Sequence, residues 1–403
     1  MTHDIDISTR LGSLVLKNPF IVGSGPTVRS VDQVLAAEEA GWAGASLKLT
    51  IDPAPYVNLP PRYRWLRRSR MHIFTAEKRL APDEALRLME DARAKTKDIV
   101  LFANIAYDGP DLDGWGRLAK RFEDAGAHAI ELNMCCPNMS YNVTATGSAT
   151  AKATGASLGS DIDNLPAVVA AVRAAVRLPV IAKLTPEGGR VAAAAAACLS
   201  AGADAAGSTG NRLGIPDIDI RAPTAPFYRL QDGITLGCLS GPWIRPLALR
   251  DTFEMRRRVG PGPSLVGSGG VSDLQSAVEQ VMLGADAVWV CTETLLNGFA
   301  WMTKLLDELR AYMKDMGWAR IADFRGLLVK EVHSAADLVV HKGHAVVDTA
   351  MCTRCGSCWD IGHCHAISHP EGVTAMDPWK CLGCSTCVDL CAKGAIAMVS
   401  AEE

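Results

Sequence analysis

Eight of the chain's thirteen cysteines lie between Cys352 and Cys391, and the other five are scattered through the first 291 residues. The later half of that cluster reads C-x2-C-x2-C-x3-C at Cys381, Cys384, Cys387 and Cys391. Three thiolates at successive two-residue gaps wrap one cubane and the fourth serves its neighbour, the spacing that holds [4Fe-4S] centres. The earlier half repeats the triplet at Cys352, Cys355 and Cys358 but reaches Cys364 only after a gap of five residues. Crossing the fourth ligands gives two sets: Cys352, Cys355, Cys358 with Cys391, and Cys381, Cys384, Cys387 with Cys364. His363 stands beside Cys364 as an alternative ligand, and His365 and Ala392 stand where a proline usually follows the fourth cysteine. Structural zinc is the competing use of such thiols, but it favours C-x2-C pairs far apart over triplets. Two [4Fe-4S] clusters carry electrons one at a time and do no chemistry on an organic substrate, so the rest of the chain must supply that chemistry.

A second reactive stretch is ELNMCCPNMS at 131 to 140, an apolar strand that runs into Asn133, Cys135, Cys136, Pro137 and Asn138. Such strand ends are where α/β barrels keep their reacting groups. Lys48 and Lys183 also sit at or inside strands, where a charge is expensive unless paired. Glycine-bearing turns at LSGPWIRP (239 to 246) and GSGG (267 to 270), with Cys291-Thr292 after the last strand, suit a phosphate held by backbone N–H groups. A domain fed by one-electron clusters needs a cofactor that turns single electrons into hydride, and FMN is the phosphate-bearing one. Reduced flavin carries negative charge around N1 and O2, which Lys183 would neutralise; the bland alternative is a lysine snorkelling from a strand end. No G-x-G-x-x-G follows the first strand, which excludes a dinucleotide domain of that type.

The elements that must position these groups alternate, from Asn18 to about Ala311, between short apolar runs and longer helix-period segments. The strand runs are PFIVGS (19 to 24), GASLKL (44 to 49), IVLFANI (99 to 105), AIELNM (129 to 134), VIAKLT (180 to 185), ADAAGST (203 to 209), SLVGSGG (264 to 270) and AVWVCT (287 to 292). Eight in this order predict an α/β fold, a closed FMN-binding (β/α)8 TIM barrel, with VAAAAAACLSAG as its fifth helix. The domains are then 1–315 for the barrel, 316–346 for a linker and 347–403 for an α+β, bacterial-ferredoxin-like tail. Three segments, 50 to 80, 135 to 162 and 210 to 240, are too long for mere connections, and the Thr/Ser/Ala/Gly-rich stretch 137 to 160 reads as a mobile lid. At net charge −3 with acids and bases interspersed, the chain gives no reason to seek nucleic acid or an acidic membrane, apart from RYRWLRRSR at 62 to 70. Neither an apolar run of about eighteen residues nor an apolar signal core in MTHDIDISTR is present, so the expectation is a soluble cytoplasmic protein. Its cysteine density then speaks for metal ligation over disulfides.

The stretches NPF (18 to 20), LKL around Lys48, ELNMCCPN (131 to 138), AKLTP (182 to 186), LSGPWIRPLALR (239 to 250) and GSGGV (267 to 271) carry a resemblance. The chain resembles the flavin barrels of dihydroorotate and dihydropyrimidine dehydrogenases, fused to a two-cluster ferredoxin module as in the bacterial NAD-dependent dihydropyrimidine dehydrogenases. The resemblance implies FMN contacts at Gly23, Ser24, Lys48, Asn104, Asn133, Lys183, Ser240, Gly241, Gly269, Gly270 and Thr292. It implies that Asn133 also meets the substrate, together with Thr75, Asn138 and Asn211. It further implies a catalytic Cys136 that exchanges a proton with a small unsaturated ring while hydride passes between flavin N5 and the adjacent carbon. A thiol, with an ordinary pKa near ~8.5, is largely protonated at neutral pH and can donate. The plain alternative for Cys136 is a small buried hydrophobe. Cys135 stands where the family commonly has serine and reads as pocket lining.

Also implied are a partner subunit carrying FAD and an NAD(P)H site, and a homodimer or heterotetramer. Departures are Thr75 after the second strand and Gly210-Asn211 where an Asn-Thr pair would be expected. Lost amide-reading donors point to a changed substrate, so uracil and thymine compete with other unsaturated rings. Dihydroorotate oxidation is the nearest alternative. More distant ones are a dihydrouridine-synthase-type RNA enzyme using Arg62, Arg64, Arg67, Arg68 and Arg70, and a pure electron carrier for which Cys136 would be dispensable.

Overall fold

Parallel strands buried on both faces read as continuous apolar runs, and the eight runs above fold as such strands. The computed structural model describes residues 5–52, 59–75, 77–107, 111–136, 154–400 and forms two compact units, Met1–Glu331 and Val332–Glu403. In the first unit the strands are β1 (Phe20–Val22), β2 (Gly44–Ser46), β3 (Val100–Tyr107), β4 (Ala129–Met134), β5 (Val180–Leu184), β6 (Ala205–Ser208), β7 (Ser264–Ser268) and β8 (Ala287–Val290). Each pairs in parallel with the next, and β8 pairs with β1, which closes a TIM barrel.

A helix follows every strand: Val31–Glu39, Pro82–Lys95, Leu112–Asp124, Leu165–Ala175, the alanine-rich Val191–Ser200, Arg245–Val259, Leu274–Met282 and Trp301–Met316. Their starts are chemically marked. Asp111 accepts from the backbone N–H of Gly114, Asp273 from that of Ser276, and Pro82 opens its helix where a missing N–H costs nothing. At the N-terminal end of the strands, the hairpin Thr9–Leu11/Leu14–Leu16 sends Leu11 and Leu16 into an interior cluster with Ile21, Phe102, Ile181, Val266 and Trp289. That end is closed by apolar packing. The opposite end is left for polar groups.

Two of the three long segments are not loops. Tyr63–Leu66, Met71–Phe74, Gly237–Ser240 and Arg212–Gly214 form a four-stranded antiparallel sheet. Its strands are only three or four residues long, too short to display the alternation that marks a strand. LSGP at 239 to 242 therefore ends a strand of this sheet and not a barrel strand. Of the segment expected as a lid, residues 137–153 lie outside the described residues, and its end is a packed helical turn, Ala156–Ser160, with Leu158 buried. Residues 317–331 carry Ile321 and Phe324 into the core of the first unit.

The second unit pairs Gly343–Val347 with Ile396–Ser400 and Ile367–Ser368 with Ala375–Met376, both antiparallel, beside one short helix, Thr386–Leu390. Its core cluster is small: Ala345, Cys358, Cys387 and Ile396. Among the described residues no helix is long and apolar enough to cross a membrane.

Candidate functional site

Strand register brings the chemistry to the C-terminal mouth of the barrel. Asn104 on β3 lies opposite Glu131 on β4, and Asn133 on β4 lies opposite Lys183 on β5. All four side chains are buried. Lys183 Nζ donates to Glu131 Oε1 at 2.8 Å, and Asn104 Nδ2 donates to the same oxygen. Burial works against the lysine's charge, but the Glu131 carboxylate overcomes it and holds the proton more tightly than usual. Asn133 Nδ2 then donates to Asn104 Oδ1 at 3.0 Å. The other end of that amide, Oδ1, accepts the backbone N–H groups of Cys135 at 3.4 Å and Cys136 at 3.3 Å. The asparagine in N-x-x-C thus folds the turn that aims Cys136, as Asn side chains do by bonding backbone two residues on.

A second buried network faces it. Glu77 accepts from Lys48 Nζ, from Tyr63 Oη at 2.9 Å, and lies 3.5 Å from Arg79 Nη1. Burial, and next the Arg79 guanidinium, pull Lys48 well below its usual range, and its ammonium is paired with the Glu77 carboxylate. Arg79 Nη2 reaches Cys136 Sγ at 3.0 Å.

Three adjoining cavities with shared walls make one trough. The first is lined by Gly23, Ser24, His72, Phe74, Lys183, Asn211, Ser240, Trp289 and Thr292 among others. The second holds Lys48, Asn133, Cys135, Cys136, Lys183, Asn211 and Cys238. The third, with Ser240, Gly241, Gly269, Gly270 and Thr292, is the glycine-rich end. Gly269 (φ 106°) and Gly270 (φ 75°) adopt backbone that side chains rarely allow, and a Cβ on Gly270 would stand 2.6 Å from Arg245 Cα. Thr292 Oγ1 donates to Ser240 Oγ at 3.1 Å beside them.

Of the residues expected at the site, Gly23, Ser24, Lys48, Asn133, Cys136, Lys183, Asn211, Ser240, Gly241, Gly269, Gly270 and Thr292 line this trough. Asn104 stands behind its wall, bonded to Glu131 and Asn133. Asn138 lies outside the described residues. Thr75 does not line the trough: it bonds Thr235 Oγ1 at 3.1 Å, and the wall there is His72 and Phe74. Alternation along the strand Met71–Phe74 is the reason, since neighbouring side chains point to opposite faces.

Sequence reasoning missed Glu131, Glu77, Arg79, His72 and Trp289. The signal for Glu131 was available: a lone carboxylate in an apolar strand calls for a cation, and Lys183 is a lone cation in the very next strand. His72 Nε2 and Trp289 Nε1 are buried on the trough wall without a partner among the described residues. Burial pulls His72 down to about 4, so it is a neutral imidazole at physiological pH. The arginine-rich stretch is tied inward as well: Arg62 donates to the carbonyls of Pro61 and Leu230, Arg64 to that of Phe227, and Arg70 to Ser272 Oγ. Arg67 and Arg68 are exposed.

In the second unit, the two C-x2-C-x2-C loops repeat one backbone shape. Arg354 and Gly383, before the second cysteine, and Gly356 and Ser385, after it, all have positive φ. Backbone N–H groups point at two of the sulfurs, Ala345 at Cys381 (3.4 Å) and Ala395 at Cys391 (3.2 Å). His363 Nε2 lies 3.3 Å from Cys384 Sγ, which brings the 363–364 segment to the later triplet. Among the described residues no three His, Cys, Asp or Glu side chains converge as they would on a single ion.

Removing one member of a buried ion pair strands the other. Glu131→Gln should lower barrel stability by about 3 kcal/mol, read from urea unfolding followed by tryptophan fluorescence; an unchanged midpoint would show that Lys183 does not depend on it.

The dihydroorotate dehydrogenase family model matches residues 7–313. The chain is 27% identical over 356 residues to the chloroplastic dihydropyrimidine dehydrogenase (NADP(+)) of Arabidopsis thaliana, covering 85% of this chain and 81% of that one. It is 27% identical over 376 residues to the NAD-dependent dihydropyrimidine dehydrogenase subunit PreA of Escherichia coli K12, covering 89% and 86%. It is 31% identical over 327 residues to the dihydroorotate dehydrogenase B (NAD(+)) catalytic subunit of Desulforudis audaxviator, covering 80% and 97%. The solved structure of DHODH from Eimeria tenella in complex with ferulenol shares the fold, with a TM-score of 0.62 at 18% identity over 81% of this chain and 89% of that one. A closed barrel with its polar groups gathered at the C-terminal mouth, matched along 7–313, makes the chain a member of the dihydroorotate dehydrogenase family, oxidoreductases that act on a CH–CH bond.

Proposed function

We propose that the chain interconverts a ring C=C and CH–CH bond in a pyrimidine such as uracil or thymine, or in a related N-heterocycle. FMN would lie in the barrel trough, and electrons would arrive through two [4Fe-4S] clusters in the second unit. The observation that carries this reading is the position of Cys136, held by the Asn133 turn at the end of a trough whose other end is a glycine cradle.

The residues present suit FMN. Gly241, Gly269 and Gly270, with Ser240 and Thr292, offer backbone N–H groups and hydroxyls to a phosphate in a space that a Cβ would fill. The buried His72 Nε2 and Trp289 Nε1 on the same wall would gain partners from a polar guest. Lys183, kept charged by Glu131, would meet the electron-rich edge of the ring system. When bound, FMN supplies hydride to one ring carbon.

The chain's own part is the proton. Cys136 donates it to the neighbouring carbon as a general acid, or removes it in the reverse direction. Of the substrate-reading groups, Asn133 has one Nδ2 hydrogen left after bonding Asn104, and Asn211 lines all three parts of the trough. Gly210 offers no side chain. That sparse set favours testing rings beyond uracil.

For the second unit, Cys352, Cys355, Cys358 and Cys391 would hold one cluster and Cys381, Cys384, Cys387 and Cys364 the other, in a ferredoxin-like domain. The repeated left-handed loops and the N–H groups aimed at Cys381 and Cys391 suit cubane thiolates, whose sulfurs stand on different irons and need not converge on one point. A core of four small buried residues is also what a unit stapled by clusters can manage with. The relatives from E. coli and D. audaxviator are named as subunits, which supports a partner here, one that carries FAD and takes electrons from NAD(P)H. A homodimer or heterotetramer in the cytoplasm is the assembly this implies.

Two measurements test the proposal. Protein purified without oxygen should contain about eight irons and as many sulfides per chain; zinc in place of iron would reject the clusters. Reduced protein given uracil, then a panel of unsaturated N-heterocycles, should regain oxidised-flavin absorbance with at least one of them, and Cys136→Ser should slow that step by ~100-fold or more with flavin retained. Full activity in Cys136→Ser would reject the thiol as the acid.

A further inference from the structure

Arg79 has no part in the reading above, yet it touches the proposed acid. It is 3% exposed, and its Nη1 donates to the main-chain oxygen of Glu77 at 2.8 Å. Its Nη2 meets Cys136 Sγ at 3.0 Å, from 57 residues away in sequence. A guanidinium has donors only and keeps its charge at every physiological pH, so the sulfur must be the acceptor in this pair. The adjacent cysteine is built the opposite way. Cys135 Sγ donates to Asn133 Oδ1 at 3.3 Å, and burial pushes its thiol up to about 12. One thiol is arranged to keep its proton, and its neighbour faces a permanent cation.

We infer that Arg79 is a positioning residue for the proton transfer: it fixes the Cys136 sulfur at the trough and stabilises the thiolate that remains when the proton leaves. The inference rests on the reading of Cys136 as the acid. In ring reduction the S–H bond breaks, its electron pair stays on sulfur, and the proton forms a C–H bond at the carbon beside the one that accepts hydride. The negative sulfur then faces Nη2 until it is reprotonated by water. In ring oxidation the same thiolate takes the proton from carbon. Glu77 holds the guanidinium from its other side and is itself anchored by Lys48 and Tyr63, so Arg79 cannot follow the sulfur if it swings away. A purely structural role would also bury Arg79 against Glu77, but it would not require the contact with sulfur.

The test is site-resolved alkylation of the full-length holoprotein by iodoacetamide at pH 7, which reads thiolate, with Cys135 as the internal control in the same peptide. Arg79→Gln should slow labelling of Cys136 at least about tenfold, the weight of one charge-assisted hydrogen bond. Arg79→Lys, which keeps a cation, should recover most of that rate. In turnover, Arg79→Gln should lower kcat with little change in KM, since the charge it neutralises exists only after proton transfer. Equal labelling of Cys136 in wild type and Arg79→Gln overturns the inference. If Arg79→Gln does not retain flavin, the wild type decides: Cys136 must be alkylated faster than a cysteine in an unstructured peptide, and a slower rate overturns the inference. Full ring reduction by Cys136→Ser would instead remove the acid reading beneath it, an outcome the labelling data cannot produce.

Discussion

A carboxylate sealed from water at the mouth of the barrel, Glu131, organises the site. One of its oxygens takes Lys183 from β5 and Asn104 from β3, strands on either side of its own. Asn104 passes the constraint to Asn133, and Asn133 spends its carbonyl on the two N–H groups that turn the chain into Cys136. Three strands are thereby locked in register at the level where the chemistry happens. Lys183 gains a permanent charge in a place where burial would otherwise strip it, and the nucleophilic turn gains a fixed direction. Every contact in this series is made by the chain's own groups, the kind of fixed arrangement that spares binding and catalysis an ordering cost.

The mouth has a second charged system, and the two divide the work. Lys48, Glu77, Tyr63 and Arg79 come from segments above the barrel strands, beside the four-stranded antiparallel sheet that covers one side of the trough. The first system belongs to the barrel strands. The second belongs to the added segments and meets Cys136. A barrel keeps its strands and varies the segments after them, and a change of substrate ring would be written in His72, Phe74, Arg79, Gly210 and Asn211 while Glu131 and Lys183 stay as they are.

Much of this was legible in the sequence. All eight barrel strands could be read because strands buried on both faces show as unbroken apolar runs, and glycine turns and strand-end lysines pointed to residues that line the trough. What was not legible depends on distance and register. Glu131 sat in plain view, but its partner is set by strand pairing, which no spacing displays. Thr75 bonds Thr235 while His72 and Phe74 line the trough, because neighbouring side chains along a strand point to opposite faces and no spacing shows which face is which. The short strands at 63–66 and 212–214 looked like loops because four and three residues are too few to display an alternation. Arg79 reaches Cys136 only through the fold, so no motif contains both.

The central claim is that a thiol at the trough mouth gives its proton to the ring from the side opposite the hydride. Reducing the ring in deuterium oxide and locating the label by proton NMR tests this directly. The account predicts two solvent-derived deuteriums, because a flavin reduced by single electrons takes its N5 hydrogen from solvent: one on the hydride-accepting carbon and one on its neighbour, added anti to each other. Syn addition, or an equal mixture of the two, would contradict it, because a proton delivered by free solvent has no reason to choose the face that Cys136 commands.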